Sequence, residues 1–267
     1  MSLATDLPPL LRTERFGRAL RWSAQTGSTN ADAAAWADEG APEGAVVGTD
    51  HQTAGRGRLG RAWSDTRGLN VLVSLVLRPA LAADRLGLVP LAAGVAVAET
   101  VAAWTAPAEP HLKWPNDVLL GRRKVAGLLL EGSLTPGAGP TLVLGLGLNV
   151  NQTDFPAEVA ERATSLALEV GRPLPRAALL ADLLLALERR YDALLAGEDE
   201  ALRAAFERRM VGRGQEVTVA FSGKQDAPLR GTVLGVASTG ALRLATAGGL
   251  RTLSAGEVTL RADRSDA

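Results

Sequence analysis

The sequence predicts an α+β protein made of a large mixed domain and a small C-terminal β-barrel. Apolar runs with strand character alternate with helical patterns through most of the chain, whereas short strand patterns separated by glycine turns fill its end. We therefore expect one domain at 1–212 and an SH3-like barrel at 213–267. A chain of 267 residues has room for both units and for a sizeable core.

Strands of the large domain are predicted where apolar runs stop at glycine, proline or a polar turn. Gly68–Leu77 is the strongest, because it is almost wholly apolar and is followed by Arg78 and Pro79. The predicted strands are Ala19–Ala24, Gly44–Thr49, Gly68–Leu77, a hairpin turning at Gly121 into Val125–Glu131, and Thr141–Val150.

Helices are predicted where apolar residues recur at helical spacing. The clearest case is Pro175–Ala196, in which Leu180, Leu183, Leu187 and Leu194 share one side. The predicted helices are Ala31–Glu39, Arg85–Trp104, short helices within Pro156–Gly171, Pro175–Ala196 and Asp199–Met210. The predicted strands of the C-terminal barrel are Glu216–Phe221, Leu229–Val236, Ala241–Ala245, Leu250–Ser254 and Val258–Leu260.

Composition excludes several kinds of site. The net charge is zero, so no overall field favours nucleic acid. The chain has no cysteine, which rules out disulfides, thiol nucleophiles and thiolate metal sites, and its two histidines are well separated. Any metal is therefore expected to be a hard cation held by oxygens and by a ligand's phosphates.

No segment for export or membrane insertion is expected. The N-terminus lacks a basic stretch followed by a long apolar one. Glu99 interrupts the best apolar run, Val89–Trp104, so we expect no stretch of membrane-spanning length. The sequence predicts a cytoplasmic protein with no membrane partner.

The segment His51–Trp63 is a basic loop with the sequence HQTAGRGRLGRAW. It combines three arginines with three glycines and has neither helical nor strand periodicity. Glycine lets the backbone approach a ligand closely, and arginine offers a planar fork of donors for phosphate or carboxylate. We expect a flexible loop that folds over an anionic ligand, and a solvated surface loop is the alternative.

Part of this loop, Gly55–Gly60, also matches the dinucleotide pattern G-x-G-x-x-G. That pattern requires a helix directly after it. Because Arg61–Gly68 has no helical character, we reject a Rossmann site.

Three further polar clusters lie at predicted strand ends or turns: Ser28–Asn30, Lys113–Asp117, and Lys124 with Gly127. The first serves either as a helix N-cap or as an anion-binding helix start. Burying basic side chains is unfavourable unless they are paired, and a phosphate-bearing substrate would supply the partner. The sequence contains no P-loop pattern, so a nucleotide has to be held in another way.

Gly145, Gly147 and Asn149 recur at period two and therefore share one face of a predicted strand. A strand face with two glycines lets another group approach the backbone closely. That group is either a ligand or a closely packed helix.

The order of these motifs resembles the biotin–protein ligase family. The motifs are GSTN, QTAGRGRLGRAW, KWPNDVLL followed by RKVAGLLLE, GLGLNV and a C-terminal AGEVTLR, and they extend from about Ala19 to Leu260. The resemblance implies a class II synthetase-like mixed-sheet catalytic domain with a C-terminal SH3-like domain. The related lipoate ligases share the fold but generally lack the pairing of RGRxGRxW with KWPND.

The resemblance also implies a role for each motif, with Lys124, Arg58 and Arg56 as the catalytic residues. The residues expected to bind biotin are Ser28, Thr29, Asn30, Gln52, Arg56, Gly57, Arg58, Lys124 and Gly127. The residues expected to bind the nucleotide are Arg58, Arg61, Trp63, Asn116, Asp117, Lys124 and Asn149. The metal ligands stay unassigned.

The implied activity is ATP-dependent attachment of biotin to a lysine of a biotin carboxyl carrier protein, through biotinyl-5′-AMP. ATP and biotin are then the substrates, Mg²⁺ accompanies ATP, and the carrier belongs to acetyl-CoA carboxylase or a similar carboxylase. Two alternatives stay open: a ligase for lipoate or another acyl acid on the same fold, and a non-catalytic biotin- or nucleotide-binding module.

Some family members carry an N-terminal winged helix that binds operator DNA. Only 26 residues precede Gly27, and no basic recognition helix is visible, so we predict a monofunctional ligase without a DNA partner. A homodimer through an exposed sheet edge is possible. His51, at the mouth of the basic loop, is predicted to be an incidental surface residue.

Overall fold

A seven-stranded mixed sheet forms the centre of the large domain in the computed structural model, which describes residues 3–135, 139–221, 228–254 and 256–260. Its strands are β1 Leu20–Ser23, β2 Val46–Thr49, β3 Val71–Leu77, β4 Pro110–Lys113, β5 Asp117–Leu120, β6 Arg123–Thr135 and β7 Gly139–Leu148. They lie in the order β1-β2-β3-β7-β6-β5-β4. β1 pairs with β2 in parallel, and the other neighbours are antiparallel. This arrangement confirms the predicted mixed sheet.

Helices cover the sheet, and all except the short α1, where no helix was predicted, follow the predicted positions closely. They are α1 Leu3–Asp6, α2 Thr29–Asp38, α3 Val89–Thr105, α4 Ala157–Ala160, α5 Leu166–Val170, α6 Arg176–Leu195 and α7 Asp199–Arg209. Short 3-10 turns occur at Pro8–Leu10, Arg58–Gly60 and Ala83–Leu88.

The two faces of β7 show how the sheet separates the core from the site. Leu144, Leu146 and Leu148 alternate along the strand and belong to the main hydrophobic cluster, which also contains the apolar residues of α3 and α6. Gly145 and Gly147 lie between them and point to the opposite face, where α2 packs. A second, smaller cluster of alanines and valines joins α2 to β2 and β3 on that side.

Helix α3 is the central core helix, as predicted, but one expectation about it was wrong. Glu99 does not prevent a spanning length, since the helical stretch Ala83–Thr105 has 23 residues and is apolar enough to cross a membrane by length and composition. Within this stretch, 67% of the apolar 18-residue segment is buried inside the protein. The burial is that of a core helix, and Glu99 forms an ion pair with Arg190 of α6.

The C-terminal unit is a five-stranded antiparallel sheet of the SH3-like kind, as predicted. Its strands are β8 Glu216–Ala220, β9 Leu229–Val236, β10 Leu242–Thr246, β11 Gly249–Leu253 and β12 Glu257–Leu260, in the order β11-β10-β9-β8-β12. The sheet packs on the large domain, where Trp114 Nε1 donates to Gly240 O at 3.0 Å. Ala255 and Arg261, at the ends of the AGEVTLR motif, lie outside the described residues.

Candidate active site

A cavity of about 360 Å³ lies on the glycine face of the sheet, between the start of α2, the basic loop, β5, β6, β7 and residues 155–163. All fourteen residues predicted for the site contribute to its wall. They are Ser28, Thr29, Asn30, Gln52, Arg56, Gly57, Arg58, Arg61, Trp63, Asn116, Asp117, Lys124, Gly127 and Asn149. The sequence motifs, distant along the chain, therefore meet in one place.

The basic loop lies outside the named strands, as its lack of periodicity predicted, but backbone bonds close it into a short hairpin. Trp63 N donates to Gly55 O at 2.9 Å, and Gly57 N donates to Arg61 O at 2.7 Å. Its 3-10 turn contains Leu59, whose φ of 59° is in the left-handed region that side chains other than glycine rarely adopt. The chain after the turn is extended, so no helix follows the G-x-G-x-x-G pattern and the rejection of a Rossmann site is confirmed.

The glycine face is covered by side chains of the site itself. A Cβ on Gly145 would collide with the amide of Asn30, and a Cβ on Gly147 would lie 2.5 Å from the indole of Trp63. A Cβ on Gly127 would lie 2.8 Å from Lys124 Nζ. These glycines allow Asn30 and Trp63 to lie directly on the sheet, which shapes the floor of the cavity.

A buried polar network fixes the start of α2. Ser74 Oγ lies 2.6 Å from Asn30 Oδ1 and 2.8 Å from Thr29 Oγ1, and Ser74 is fully buried on β3. A hydroxyl has one proton, so the short contacts are satisfied together if Thr29 donates to Ser74 and Ser74 donates to Asn30. Sequence reasoning missed Ser74, because an isolated serine inside an apolar strand carries no motif.

The N-cap interpretation of this cluster was only partly correct. Ser28 is the N-cap by position, but its side chain makes no capping bond. Gln52 does so instead, since its Oε1 accepts from Thr29 N at 2.9 Å. The first turn of α2 is therefore held by the incoming arm of the basic hairpin.

Glu131 links the start of α2 to the hairpin. Its Oε2 accepts from Asn30 Nδ2 at 2.7 Å and from Arg56 Nη2 at 3.3 Å. The carboxylate thus orients one residue predicted to bind biotin and one predicted to be catalytic. The sequence placed Glu131 at the end of a predicted strand and gave it no function.

Lys124 and Asp117 form an ion pair across the β5–β6 hairpin. Lys124 Nζ lies 2.6 Å from Asp117 Oδ1 and 5.5 Å from the centroid of the Trp63 ring. The lysine side chain is about one third exposed, at 34%, so it faces the cavity while the carboxylate and the indole hold it.

Arg58 of the hairpin contacts both the large domain and the C-terminal domain. Its Nη1 lies 3.4 Å from Asn116 Oδ1 and 3.3 Å from Gly256 O, which precedes β12. Asn116 in turn donates from Nδ2 to Leu128 O at 2.7 Å. The C-terminal domain therefore contributes directly to the position of a predicted catalytic arginine.

Two buried polar atoms at the cavity have no hydrogen-bond partner within the part of the chain that the structure describes. They are Asn149 Oδ1 and Trp63 Nε1. Asn149 is only 4% exposed, and its Nδ2 is already used in a bond to Thr164 O. A bound ligand with polar groups of its own would supply a donor for the Asn149 oxygen and an acceptor for the Trp63 nitrogen.

The cavity wall contains further residues that sequence reasoning did not assign. Lys113 was noted as part of a basic cluster, whereas the segment around α4 gave no signal because its residues form no motif. The additional polar and apolar residues on the wall include Ser64, Lys113, Arg122, Phe155, Val159 and Arg162.

His51 is not the incidental residue that the sequence predicted. Its Nδ1 lies 2.8 Å from Oδ1 of Asp65, whose side chain is fully buried. Neither residue lies on the cavity wall. They join the two arms of the basic hairpin at its base.

The described residues contain no group of three or more histidine, cysteine, aspartate or glutamate side chains that could hold a metal ion. Among the described residues of the cavity wall, the one carboxylate is Asp117, which is paired with Lys124. The protein thus offers few ligands of its own, and a cation here would depend on the oxygens of a bound substrate.

The fold and the cavity define a ligase that activates an acid beside a basic wall, with an SH3-like domain packed on the catalytic unit. The chain belongs to the biotin/lipoate A/B protein ligase family. The family profile matches residues 22–149, and the profile of the biotin protein ligase C-terminal domain matches residues 213–261.

Curated relatives and solved structures agree with this assignment. The chain is 40% identical over 265 residues to the biotin–[acetyl-CoA-carboxylase] ligase of Mycobacterium tuberculosis, which covers 94% of this chain and 96% of that protein. It is 32% identical over 252 residues to the bifunctional ligase/repressor BirA of Bacillus subtilis, covering 94% and 76%. The biotin protein ligase of Aquifex aeolicus in complex with biotin and ATP superimposes with a TM-score of 0.78 at 29% identity, covering 91% and 99%.

Proposed function

We propose that this protein is a biotin ligase that uses ATP to attach biotin to a lysine of a carboxylase's biotin carboxyl carrier protein. The observation that carries the proposal is the convergence of Lys124, Arg56 and Arg58 on one cavity with the start of α2. Related proteins named as biotin–[acetyl-CoA-carboxylase] ligases, and a structure with biotin and ATP bound, support the same activity.

The first half-reaction joins two anions. An oxygen of the biotin carboxylate attacks the α-phosphorus of ATP, the bond from that phosphorus to the β-phosphate oxygen breaks, and pyrophosphate leaves. Cationic donors offset the repulsion and stabilise the charge that builds on the five-coordinate phosphorus. Lys124, Arg56 and Arg58 serve this purpose, and no covalent intermediate with the enzyme is needed.

The second half-reaction transfers the activated acid. The ε-amine of the carrier's lysine attacks the carbonyl carbon of biotinyl-5′-AMP, an amide bond forms, and AMP leaves with the electrons of the broken acyl–oxygen bond. The mixed anhydride reacts with water, so the basic hairpin protects it by covering the cavity until the carrier arrives.

We assign the site residues as the family resemblance implies. Ser28, Thr29, Asn30, Gln52, Gly57 and Gly127 hold biotin, together with the three catalytic cations. Arg61, Trp63, Asn116, Asp117 and Asn149 hold the nucleotide, together with Arg58 and Lys124. The orphaned polar atoms of Trp63 and Asn149 support the second group, because a bound nucleotide would satisfy them.

Mg²⁺ accompanies ATP in this proposal. Its charge would neutralise the pyrophosphate, and the phosphates would be its main ligands, since the described residues supply no ready set of carboxylates.

We further propose that the enzyme works in the cytoplasm without a DNA partner, and that its catalytic and C-terminal domains comprise 1–212 and 213–267. A homodimer through a sheet edge stays a proposal as well.

Transfer to a carrier tests the proposal as a whole. Purified protein is incubated with biotin, ATP, Mg²⁺ and an isolated carrier domain, and the carrier is analysed by mass spectrometry. We expect one biotin per carrier, lost when the carrier's target lysine is replaced by arginine. A carrier that stays unmodified, or becomes modified equally well without that lysine, would contradict a specific ligase.

A further inference from the structure

Asp65 is a fully buried carboxylate at the base of the basic hairpin. Its Oδ2 accepts from Gln52 N at 3.1 Å, and its Oδ1 lies 2.8 Å from His51 Nδ1. The two partners begin the hairpin, whereas Asp65 follows its end. One side chain therefore fastens the two arms together.

The incoming arm is also tied to the segment before α2. Thr26 N donates to His51 O at 3.1 Å, Thr53 N donates to Thr26 O at 2.9 Å, and Ala54 N donates to Gly27 O at 2.9 Å. The Gln52 side chain then reaches Thr29 N, the first amide of α2. A shift of the Gln52 backbone would thus be transmitted to the helix start.

The outgoing arm and the segment after it are also tied down, since Trp63 N donates to Gly55 O at 2.9 Å and Gly68 N donates to Asp50 O at 2.8 Å. Outside the hairpin itself, Thr66 N donates to Gln152 Oε1 at 3.1 Å, and Gln152 is buried. Between these backbone bonds, Asp65 supplies the side-chain link from this arm back to His51 and Gln52. Without the carboxylate, the backbone bonds would still join the two arms, but the amide of Gln52 and the ring of His51 would lose their link to the outgoing arm.

We propose that Asp65 is a positioning residue for the ligase reaction, and this inference rests on the proposed function. By closing the base of the hairpin it fixes Gln52 against α2 and holds Arg56 and Arg58 over the cavity. His51 supports it by donating to its second oxygen. Neither residue touches the cavity, so their effect passes through the hairpin.

The test compares two buried carboxylates that both accept backbone N–H groups. Asp65→Asn removes the charge at the hairpin base, and Glu188→Gln removes the charge of a carboxylate that accepts from residues 14, 15 and 16 and is not part of the cavity wall. Both variants lose a charge-assisted hydrogen bond inside the protein, so both are expected to lower the melting temperature.

Only Asp65→Asn should change the reaction per folded molecule. In biotin-dependent ATP–pyrophosphate exchange we expect the KM for biotin to rise by about 10- to 100-fold, the effect of one charge-assisted hydrogen bond. Preformed biotinyl-5′-AMP should also leave the enzyme faster. Glu188→Gln should keep the wild-type KM and the wild-type release rate.

Substitutions at His51 supply the conservative rescue. Asn at this position places an N–H donor close to where His51 Nδ1 lies, so His51→Asn should keep the wild-type KM for biotin. His51→Ala has no donor there and should raise the KM towards the value of Asp65→Asn. Equal KM values for Asp65→Asn and Glu188→Gln would overturn the positioning role. Wild-type protein without biotin-dependent exchange would instead overturn the proposed function.

Discussion

Lys124 Nζ and Asp117 Oδ1 lie 2.6 Å apart at the wall of the cavity, on neighbouring strands of one hairpin. The carboxylate holds the ammonium in place, and the adjacent Trp63 ring restricts it from another side. An anionic substrate would approach a cation that is already oriented, so little reorganisation is needed when negative charge builds on the phosphorus.

Replacing Lys124 by alanine should slow adenylation without unfolding the protein. Loss of one charge-stabilising donor typically costs about 2.7–4 kcal/mol of transition-state stabilisation, a rate loss of about 10²- to 10³-fold. Single-turnover formation of biotinyl-5′-AMP measures the loss, and circular dichroism measures the fold.

Arg123→Ala is the matched control for this experiment. Arg123 is the preceding basic residue, and its guanidinium, which is about half exposed, pairs with Glu169 at 2.8 Å, away from the cavity wall. Surface pairs contribute about 0–1 kcal/mol to stability, so this variant should adenylate biotin at the wild-type rate. If Lys124→Ala melted early and kept normal activity per folded molecule, the lysine would be structural.

Replacing Gly145 by alanine should displace Asn30. The added Cβ would meet the Asn30 amide, and overpacking of this kind costs about 1–3 kcal/mol. The KM for biotin should rise as well, because the start of α2 moves. The expected result is a lower melting temperature together with weaker biotin binding, measured by calorimetry.

Gly94→Ala provides the contrast. A Cβ on Gly94 would lie 3.5 Å from its nearest neighbour, Leu112 Cδ2, which is an ordinary contact. Alanine favours a helix over glycine by about 1 kcal/mol, so this substitution in α3 should keep or raise stability with unchanged biotin affinity. Equal effects of the two substitutions would mean that Gly145 has no special relation to Asn30.

Replacing Ser74 by alanine should leave Asn30 Oδ1 without its donor. An unsatisfied buried acceptor costs about 1–3 kcal/mol, and the Asn30 amide is then held only through its Nδ2, by the bond to Glu131 and the longer one to Leu129 O. We expect reduced stability in urea and a higher KM for biotin.

Ser74→Cys is the matched control, because it keeps the size of serine and a weak donor, and it should restore part of the loss. Ser74→Thr is unsuitable for this purpose, since it adds a methyl group. A wild-type KM in Ser74→Ala would show that the network only supports the fold.

Glu188 gives a prediction about pH. Burial alone would raise its pKa, but the N–H groups of Glu14, Arg15 and Phe16 and the Arg15 guanidinium outweigh burial, and the pKa of Glu188 is lowered from its ordinary 4.5. A lowered pKa in the folded state adds stability that is complete above pH 4.5 and is lost as pH falls through the folded-state value. The unfolding free energies of wild type and Glu188→Gln should therefore differ most near neutral pH and converge in acid. A constant difference between neutral and acidic pH would contradict this linkage.

The sequence predicted the elements whose burial pattern is simple. The run Val71–Leu77 is buried at every position and ends where predicted, although it begins three residues later; α6, with its one apolar side, matches its prediction to within one residue at each end. Strand β6 extends further than predicted on both sides, because pairing with β7 carries it past the apolar run. Such pairing depends on a partner strand and is invisible in one segment.

The site was predicted where residues form motifs and was missed where they act through contacts. Arg56, Arg58 and Lys124 were singled out because basic residues beside glycines or strands are unusual, and all three line the cavity. Asp65 and Glu131 were missed, since a single carboxylate gives no signal until the fold places it next to its partners. The hairpin of the basic loop was missed for the same reason, as its backbone bonds do not depend on apolar periodicity.

ATP–pyrophosphate exchange tests the central claim most directly. Purified protein with ATP, Mg²⁺ and labelled pyrophosphate is supplied with biotin, lipoate, octanoate or no acid. We predict exchange with biotin alone, reduced about 10²- to 10³-fold by Lys124→Ala. Exchange driven by lipoate or octanoate instead of biotin would place the activity with the lipoate branch of the family, and no exchange despite tight biotin binding would contradict a ligase altogether.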